Sequence, residues 1–386
     1  MSPNQDHPYA SAKTLAVVFG GPSPEHDVSI LTGLQAAHEL ERAGREVAAV
    51  YWTKAGQWYL VDHGLEAAAF AEGLPRGSRE LELVAGTGAG SGAGSGFVRS
   101  GGRMGRSKAL GPLVVVNCCH GGPGEDGSLQ GALDMAGVPY TGPSASGAAL
   151  GMDKLAFGAL VASAGLPTLA RSSLVEDAIS LGFDGPFIVK PRYGGSSIGI
   201  DVVADLQTAK ARLATNPHLR QGAVIEPYRE DLFDLNIGIR TWPTVELSAI
   251  ERPLRRREGA EILGYQDKYV GGEGMAGAPR QLPAEISPSL AASLRDISLE
   301  LAKLAVLRGA ARVDFLSDGT DLFVNEVNTI PGSLGRYLWV DPPLSFIGLL
   351  DAMIEEALDS PAAHHFAVGA DGSLLRNADS IASKLA

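Results

Sequence analysis

Only two of the 386 residues are cysteine, and they are neighbours, Cys118 and Cys119, in the apolar run LVVVNCCHGG. A disulfide between adjacent residues is strained, and no zinc-type spacing or partner accompanies them, so both are expected as reduced core thiols. No apolar run approaches the ~20 residues a membrane-spanning helix needs, so a membrane partner is not expected. The opening residues, MSPNQDHPYASAK, contain no apolar stretch of the signal-peptide kind. These features together point to the cytoplasm. Positive charge is short as well: 32 Lys and Arg face 44 Asp and Glu, a formal net charge of -12. Such a chain gains nothing from neutralising a nucleic-acid backbone, which argues against that partner. A nucleotide can still be held locally by backbone amides and a few cations.

What is present is an ordinary globular composition, 45% hydrophobic and 20% charged, in a length that suits two or three α/β domains. TLAVVFGG (14–21) is a β-branched run ending in glycines, which predicts a buried parallel strand and a tight turn. Helical spacing follows from about Asp27 to Ala43, and EVAAVYW gives the next strand, so the region reads as a βαβ unit. The stretch 86–102, GTGAGSGAGSGFVRSGG, predicts a flexible, solvent-exposed insertion without chemistry. GVPYTGPS predicts a further strand that closes the first domain. FIVKPRYGGSSIGIDVV predicts a strand, a Gly/Ser loop and a second strand in a hairpin-like arrangement. Strands and helices then alternate through VELSAIE, ARVDFLSDG and LFVNEVN. The resulting expectation is 1–145, 146–233 and 234–360 as three units, with 361–386 as a polar, loosely attached tail.

Three constellations carry candidate chemistry. The loop PRYGGSSIG lacks both the P-loop and the dinucleotide glycine spacing, but its amides and the hydroxyls of Ser196 and Ser197 can meet phosphate oxygens. A plain hairpin turn is the competing reading. Lys190 ends the apolar strand before this loop and needs an anion, either a phosphate or a protein carboxylate. On ARVDF and LFVNEVN, period-2 alternation puts Arg312 and Asp314 on one face, and Glu326 and Asn328 on one face. Two carboxylates and a carboxamide suit Mg²⁺ bridging nucleotide phosphates, with Arg312 neutralising developing charge; a buried salt-bridge network is the alternative. His120 begins a glycine-dense turn in which Glu125 and Asp126 can line a pocket, or it is a structural histidine. Glu25, His26 and Asp27 lie at a strand's carboxyl end, where α/β sheets bind ligands; acidic residues there also suit a helix start.

The ordered motifs GGPSPEHDVS, HGGPGEDGSLQG, MDK, VKPRYGGSSIG, DKYVGG, ARVDF and NEVNTIPG resemble those of the D-alanine–D-alanine ligases, from about Thr14 to about Leu358. The resemblance implies a three-domain ATP-grasp fold with a Rossmann-like N-terminal domain. It implies ATP-dependent joining of two D-alanines through an acyl-phosphate for peptidoglycan precursors, with ATP and two Mg²⁺ ions (Mn²⁺ able to substitute) and a homodimer. By the same resemblance Lys154 and Lys190 meet ATP phosphates with Ser197, Glu226 lies on the adenine side, and Asp234 falls near a ribose-binding acid. Asp314, Glu326 and Asn328 match the metal ligands. Glu25 matches the residue holding the first ammonium, with His120 near the first carboxylate. Ser196, Lys268 and Tyr269 match the loop residues that join Glu25 and close the site. Arg312 and the amide of Gly332 match the oxyanion pair.

The chain departs from the family in two places. Where a serine and leucine hold the second substrate's carboxylate, the sequence reads Arg336, Tyr337 and Leu338. The segment before Pro283-Ala284 lacks the usual aromatic and cysteine pattern. Tyr337 stands at the serine position, so the expectation is that Arg336 either binds a carboxylate in the serine's place or admits a larger acidic partner, and a ligase of the same chemistry with a different second amino acid is the alternative reading.

Overall fold

The computed structural model describes residues 14–85, 96–99, 108–111, 113–254, 279–360 and 369–376. It is an α/β protein built on three sheets, as the sequence reading expects. The first sheet has seven strands: β1 (Thr14–Gly20), β2 (Glu46–Trp52), β3 (Trp58–Val61), β4 (Arg79–Val84), β5 (Gly96–Arg99), β6 (Lys108–Ala109) and β7 (Leu113–Asn117). Their spatial order is β6-β5-β4-β3-β2-β1-β7. β1 lies parallel to β2 and β7, with helix α1 (His26–Arg42) as the crossover. β3 to β6 extend the sheet as an antiparallel meander.

Two expectations are corrected here. The Gly/Ser-rich insertion is not an exposed loop throughout, because β5 lies within it, packing Phe97 into the sheet core and burying Val98 as well. Two buried apolar side chains on a strand paired on both sides outweigh the surrounding glycines. GVPYTGPS makes only an isolated bridge, Val115 to Tyr140, before the helix that begins at Ala145.

Helices α2 (Ser128–Ala136), α3 (Ala145–Met152) and α4 (Lys154–Ser163) lead to the second sheet. That sheet holds β8 (Ser172–Leu174), β9 (Phe187–Pro191), β10 (Asp201–Val203) and β11 (Ala223–Pro227), backed by α5 (Leu206–Thr215). β9 and β10 are an antiparallel hairpin around the Gly/Ser loop, as predicted. The third sheet holds β12 (Phe233–Arg240), β13 (Glu246–Pro253), β14 (Arg280–Gln281), β15 (Ala310–Ser317) and β16 (Leu322–Asn328), with α6 (Pro288–Leu304) on its back. Phe157 and Val161 of α4 pack into this third core. The last long helix, α7 (Phe346–Asp359), returns to the first sheet and buries Leu349, Leu350 and Met353 beside Leu15 and Val17. The chain therefore closes on itself, and the turns at the carboxyl ends of β1 and β7 face the exit of β16. In the tail, α8 (Ser373–Arg376) leaves Leu374 and Leu375 exposed. Among the described residues no single helix is long and apolar enough to cross a membrane.

Candidate active site

Two adjoining cavities open between the sheets. Lys154, Gly194, Gly195, Asp234, Asp314 and Glu326 line both. One is further lined by Glu25, His120, Glu125, Ser196, Arg312 and Gly332, and the other by Lys190, Ser197, Glu226 and Asn325.

In the first cavity, two glycine turns converge on Glu25. A Cβ at Gly121 would stand 2.6 Å from Glu25 Oε2, and one at Gly195 3.1 Å from it, so only glycine lets these turns approach. Ser196 Oγ donates to Glu25 Oε1, which ties the first sheet to the β9–β10 loop. To present that hydroxyl, Ser196 and Ser197 hold φ of 54° and 57°, a left-handed conformation uncommon outside glycine. His120 Nε2 lies 2.8 Å from Thr32 Oγ1, and that oxygen accepts the amide of Ser333 at 3.0 Å. The ring also donates to the Ile330 backbone, which calls for the imidazole proton on Nδ1 and leaves Nε2 to accept from Thr32. Burial lowers the His120 pKa to about 4, so the ring is neutral.

Glu125, which the sequence marks only as a candidate pocket-lining acid, joins three segments. Its carboxyl accepts from the Gly121 amide at 2.9 Å, the Ile330 amide at 2.9 Å and the Thr329 hydroxyl at 3.2 Å. Burial first, and the charge of Glu25 second, raise its pKa to about 7.

In the second cavity Lys190 has the protein carboxylate that one of its two sequence readings expects. Its ammonium donates to Glu226 Oε2 at 2.8 Å and to Asn325 Oδ1 at 3.1 Å, while the side chain remains part of the cavity wall. Arg171 Nε stands 2.6 Å from the other Glu226 oxygen. Burial pushes Glu226 upward, but Lys190 and Arg171 outweigh it and hold the carboxyl below its ordinary range. Lys154 opens α4, where Asp153 caps the helix; its ammonium donates to the Gly194 carbonyl and stands 3.6 Å from Glu326 Oε2.

The strand pair β15–β16 forms the shared wall, with Asp314 opposite Glu326 and Arg312 opposite Asn328. Arg312 grips Asp314 with two contacts of 2.6 and 2.7 Å, and Asn328 Nδ2 donates to the same carboxylate at 3.0 Å. Burial disfavours the Arg312 charge, but Asp314 more than restores it. Two carboxylates and a carboxamide on paired strands fit a hard divalent cation whose remaining ligands come from phosphate oxygens. Among the described residues no group of three or more His, Cys, Asp or Glu forms a self-sufficient metal cage.

The structure does not bring every predicted residue to the cavity. Arg336 is exposed and lies over the Phe346 ring at 5.2 Å, and Leu338 is fully buried in the core. Tyr337 is turned inward, with its hydroxyl 3.5 Å from Arg312. Lys268 and Tyr269 lie outside the described residues. Conversely, Asn236, Glu251 and Arg280 line the first cavity without having been singled out. Asn236 follows Asp234 at the same-face interval of β12 and pairs in register with Glu251, the charge that interrupts VELSAIE. That interruption is the signal that could have found them.

Comparison with known proteins places this geometry. The family model described as D-ala D-ala ligase N-terminus matches residues 14–143, and that described as D-ala D-ala ligase C-terminus matches 150–355. The D-alanine–D-alanine ligase of Mycolicibacterium gilvum is 32% identical over 369 residues, covering 89% of this chain and 96% of that protein. That of Chlorobaculum tepidum is 29% identical over 380 residues, covering 92% and 99%. Among solved structures, D-alanyl-alanine synthetase A of Vibrio cholerae superposes with a TM-score of 0.72 at 20% identity, covering 90% of this chain and 98% of the other. The VanG D-Ala:D-Ser ligase of Enterococcus faecalis gives 0.69 at 23% identity, covering 90% and 99%.

Proposed function

The chain belongs to the D-alanine–D-alanine ligase family, and from that premise we propose that it joins two D-alanines to D-alanyl-D-alanine, with ATP converted to ADP and phosphate. The observation that carries this reading is that Lys154, Asp314 and Glu326 line both cavities, one of which presents Glu25 and the other Lys190 and Ser197. A reaction in which a carboxylate captures a phosphoryl group needs those two compartments in contact.

The chemistry follows from the geometry. Glu25, held by Ser196, binds the ammonium of the first D-alanine and so turns its carboxylate towards the shared wall. Neutral His120 stands beside that carboxylate as a hydrogen-bonding group without adding charge. Lys154, Lys190 and the Ser197 turn hold ATP phosphates, with Glu226 and Asp234 on the nucleoside side. Asp314, Glu326 and Asn328 would hold two Mg²⁺ ions. Those ions, when bound, neutralise charge on the phosphate oxygens. The donor carboxylate oxygen attacks the γ-phosphorus and the bond to ADP breaks, leaving an acyl-phosphate. The second amine then attacks the acyl carbon and loses a proton, and phosphate departs. Arg312 and the Gly332 amide stabilise the oxyanion formed in between. The alternative of a different second amino acid is disfavoured by relatives that are named D-alanine–D-alanine ligases. A cytoplasmic homodimer serving cell-wall precursor synthesis belongs to the same proposal.

The test is phosphate release from ATP, Mg²⁺ and D-alanine, with the product identified by mass spectrometry. D-alanyl-D-alanine in stoichiometric yield is expected. ATP hydrolysis without dipeptide would refute the reading.

A further inference from the structure

We propose that Thr32 is a positioning residue for acyl transfer: with Glu125 it fixes the backbone on either side of Gly332, so that the Gly332 amide meets the oxyanion. The inference deepens the ligase reading above and rests on it. The turn that carries Gly332 leaves β16 of the third sheet, yet the first sheet and its helix hold it in place.

Four hydrogen bonds make that attachment. Ahead of Gly332, Glu125 accepts from the Thr329 hydroxyl at 3.2 Å and from the Ile330 amide at 2.9 Å. His120 donates to the Ile330 backbone. Just after Gly332, Thr32 Oγ1 accepts from the Ser333 amide at 3.0 Å. Gly332 thus lies between pinned residues, at the wall of the first cavity. The apolar contacts agree, because Ile330 and Leu334 are buried in the first core with Phe19, Ile30 and Leu34. Ser333 and Leu334 take φ of 51° and 52°. Residues with a Cβ keep that left-handed conformation only where the surroundings impose it, and the Thr32 bond acts on the first of the two.

Thr32 is itself fixed. It stands on α1 with 1% of its surface exposed, and Oγ1 lies 2.8 Å from His120 Nε2. Its single proton goes to that nitrogen and a lone pair receives the Ser333 amide, so the hydroxyl's rotation is set. Glu25, at the start of α1, and His120 are the groups that place the donor. Thr32 therefore ties the Gly332 amide to the framework that positions the acyl group. The other oxyanion group, Arg312, is gripped by Asp314 on the third sheet. Two oxyanion donors held by different sheets need such a tie, since donors of this kind act only when placed to within about half an ångström.

The experiment compares wild type, Thr32→Val and Thr32→Ser with ATP, Mg²⁺ and D-alanine. Mass spectrometry reads dipeptide, and positional isotope exchange in ATP labelled at the β–γ bridge reads reversal of the donor half-reaction. Valine keeps the shape and removes the hydroxyl, so kcat for dipeptide should fall at least about tenfold, part of what one oxyanion donor contributes. The acyl-phosphate still forms, so the ratio of exchange to dipeptide should rise at least about tenfold, with the KM for ATP within about twofold of wild type. Thr32→Ser keeps the hydroxyl and should stay within about threefold of wild type in kcat and in the ratio. Should Thr32→Val fold poorly because His120 and Ser333 lose their partner, Thr32→Ala leaves room for a bridging water and is read for the same rise in ratio. Exchange and dipeptide falling together, with a raised KM for D-alanine, would mean that Thr32 acts through His120 alone and would overturn the proposal. A ratio unchanged within about twofold in the folded variants, or a serine variant as slow as valine, would overturn it too. Absence of dipeptide in the wild type would instead refute the ligase reading itself.

Discussion

The two cavities share a wall but manage charge differently. On the phosphate side, charge is balanced between fixed ions: Lys190 and Arg171 flank Glu226, and Lys154 approaches Glu326. On the amino-acid side, the fixed pairs Arg312–Asp314 and Arg280–Glu251 stand beside two groups whose charge is removed by protonation state. Glu125, crowded by burial and by Glu25, holds its proton up to about pH 7, and His120 stays neutral down to about pH 4. The difference matches what each compartment receives. Phosphates arrive with several charges and can displace a protein carboxylate from a lysine. A zwitterion arrives nearly neutral, and Glu25 is the carboxylate placed to orient its ammonium.

The comparison can be broken at graded points. Glu326→Ala should lower kcat at least about a thousandfold, since metal-held charge stabilisation is worth several kcal/mol. Its side chain is a quarter exposed, so circular dichroism and Tm should stay near wild type. Unfolding of this variant would make the strand pair a structural salt-bridge network. Arg312→Ala should lower kcat about 100- to 1000-fold and also destabilise by about 3–5 kcal/mol, because Asp314 is left buried without its bidentate partner. Equal stability of the two variants in urea would contradict the distinction between them.

Lys190→Met should raise the KM for ATP about tenfold, the loss of about one charge-assisted hydrogen bond. It should destabilise by less than Arg312→Ala, since Arg171 still partners Glu226. Arg171→Met, Lys190→Met together should be far worse than the sum. Additivity in that double variant would argue that Glu226 does not need its pair.

The remaining effect concerns pH. Glu125 has a raised folded pKa, from 4.5 to about 7, so its contribution is full below pH 4.5 and is lost as pH rises towards 7. His120 has a lowered folded pKa, from 6.5 to about 4, so its contribution is full above pH 6.5 and is lost as pH falls towards 4. In the wild type the two slopes oppose each other. Relative to wild type, Glu125→Gln should therefore gain stability with rising pH, on the order of 3 kcal/mol between pH 4.5 and 7. Parallel urea-stability profiles for the two proteins would remove Glu125 from the account.

The phosphate side was largely readable in the sequence because its residues interrupt apolar strands with charge. Lys190, Glu226 and Glu326 each do so, and strand alternation then says which of them share a face. Glu251 carries the same signal in VELSAIE, but its significance depends on β13 pairing with β12, a contact that spacing alone does not specify. The acceptor side was less readable for a conformational reason. Ser333, Leu334 and Gly335 take φ of 51°, 52° and 67°, so the chain turns through left-handed residues just before Arg336. Neither helical nor strand periodicity survives such a turn, and Tyr337 rather than Arg336 faces inward. The strand β5 was hidden for another reason: Phe97 and Val98 are few among glycines, and only their packing reveals them.

The central claim is that the donor's carboxylate oxygen passes to phosphate through an acyl-phosphate. Turnover with D-alanine labelled with ¹⁸O in its carboxylate tests it directly. The account predicts one labelled oxygen in each phosphate released, matched to each dipeptide formed. Phosphate without label, alongside D-alanyl-D-alanine, would contradict it.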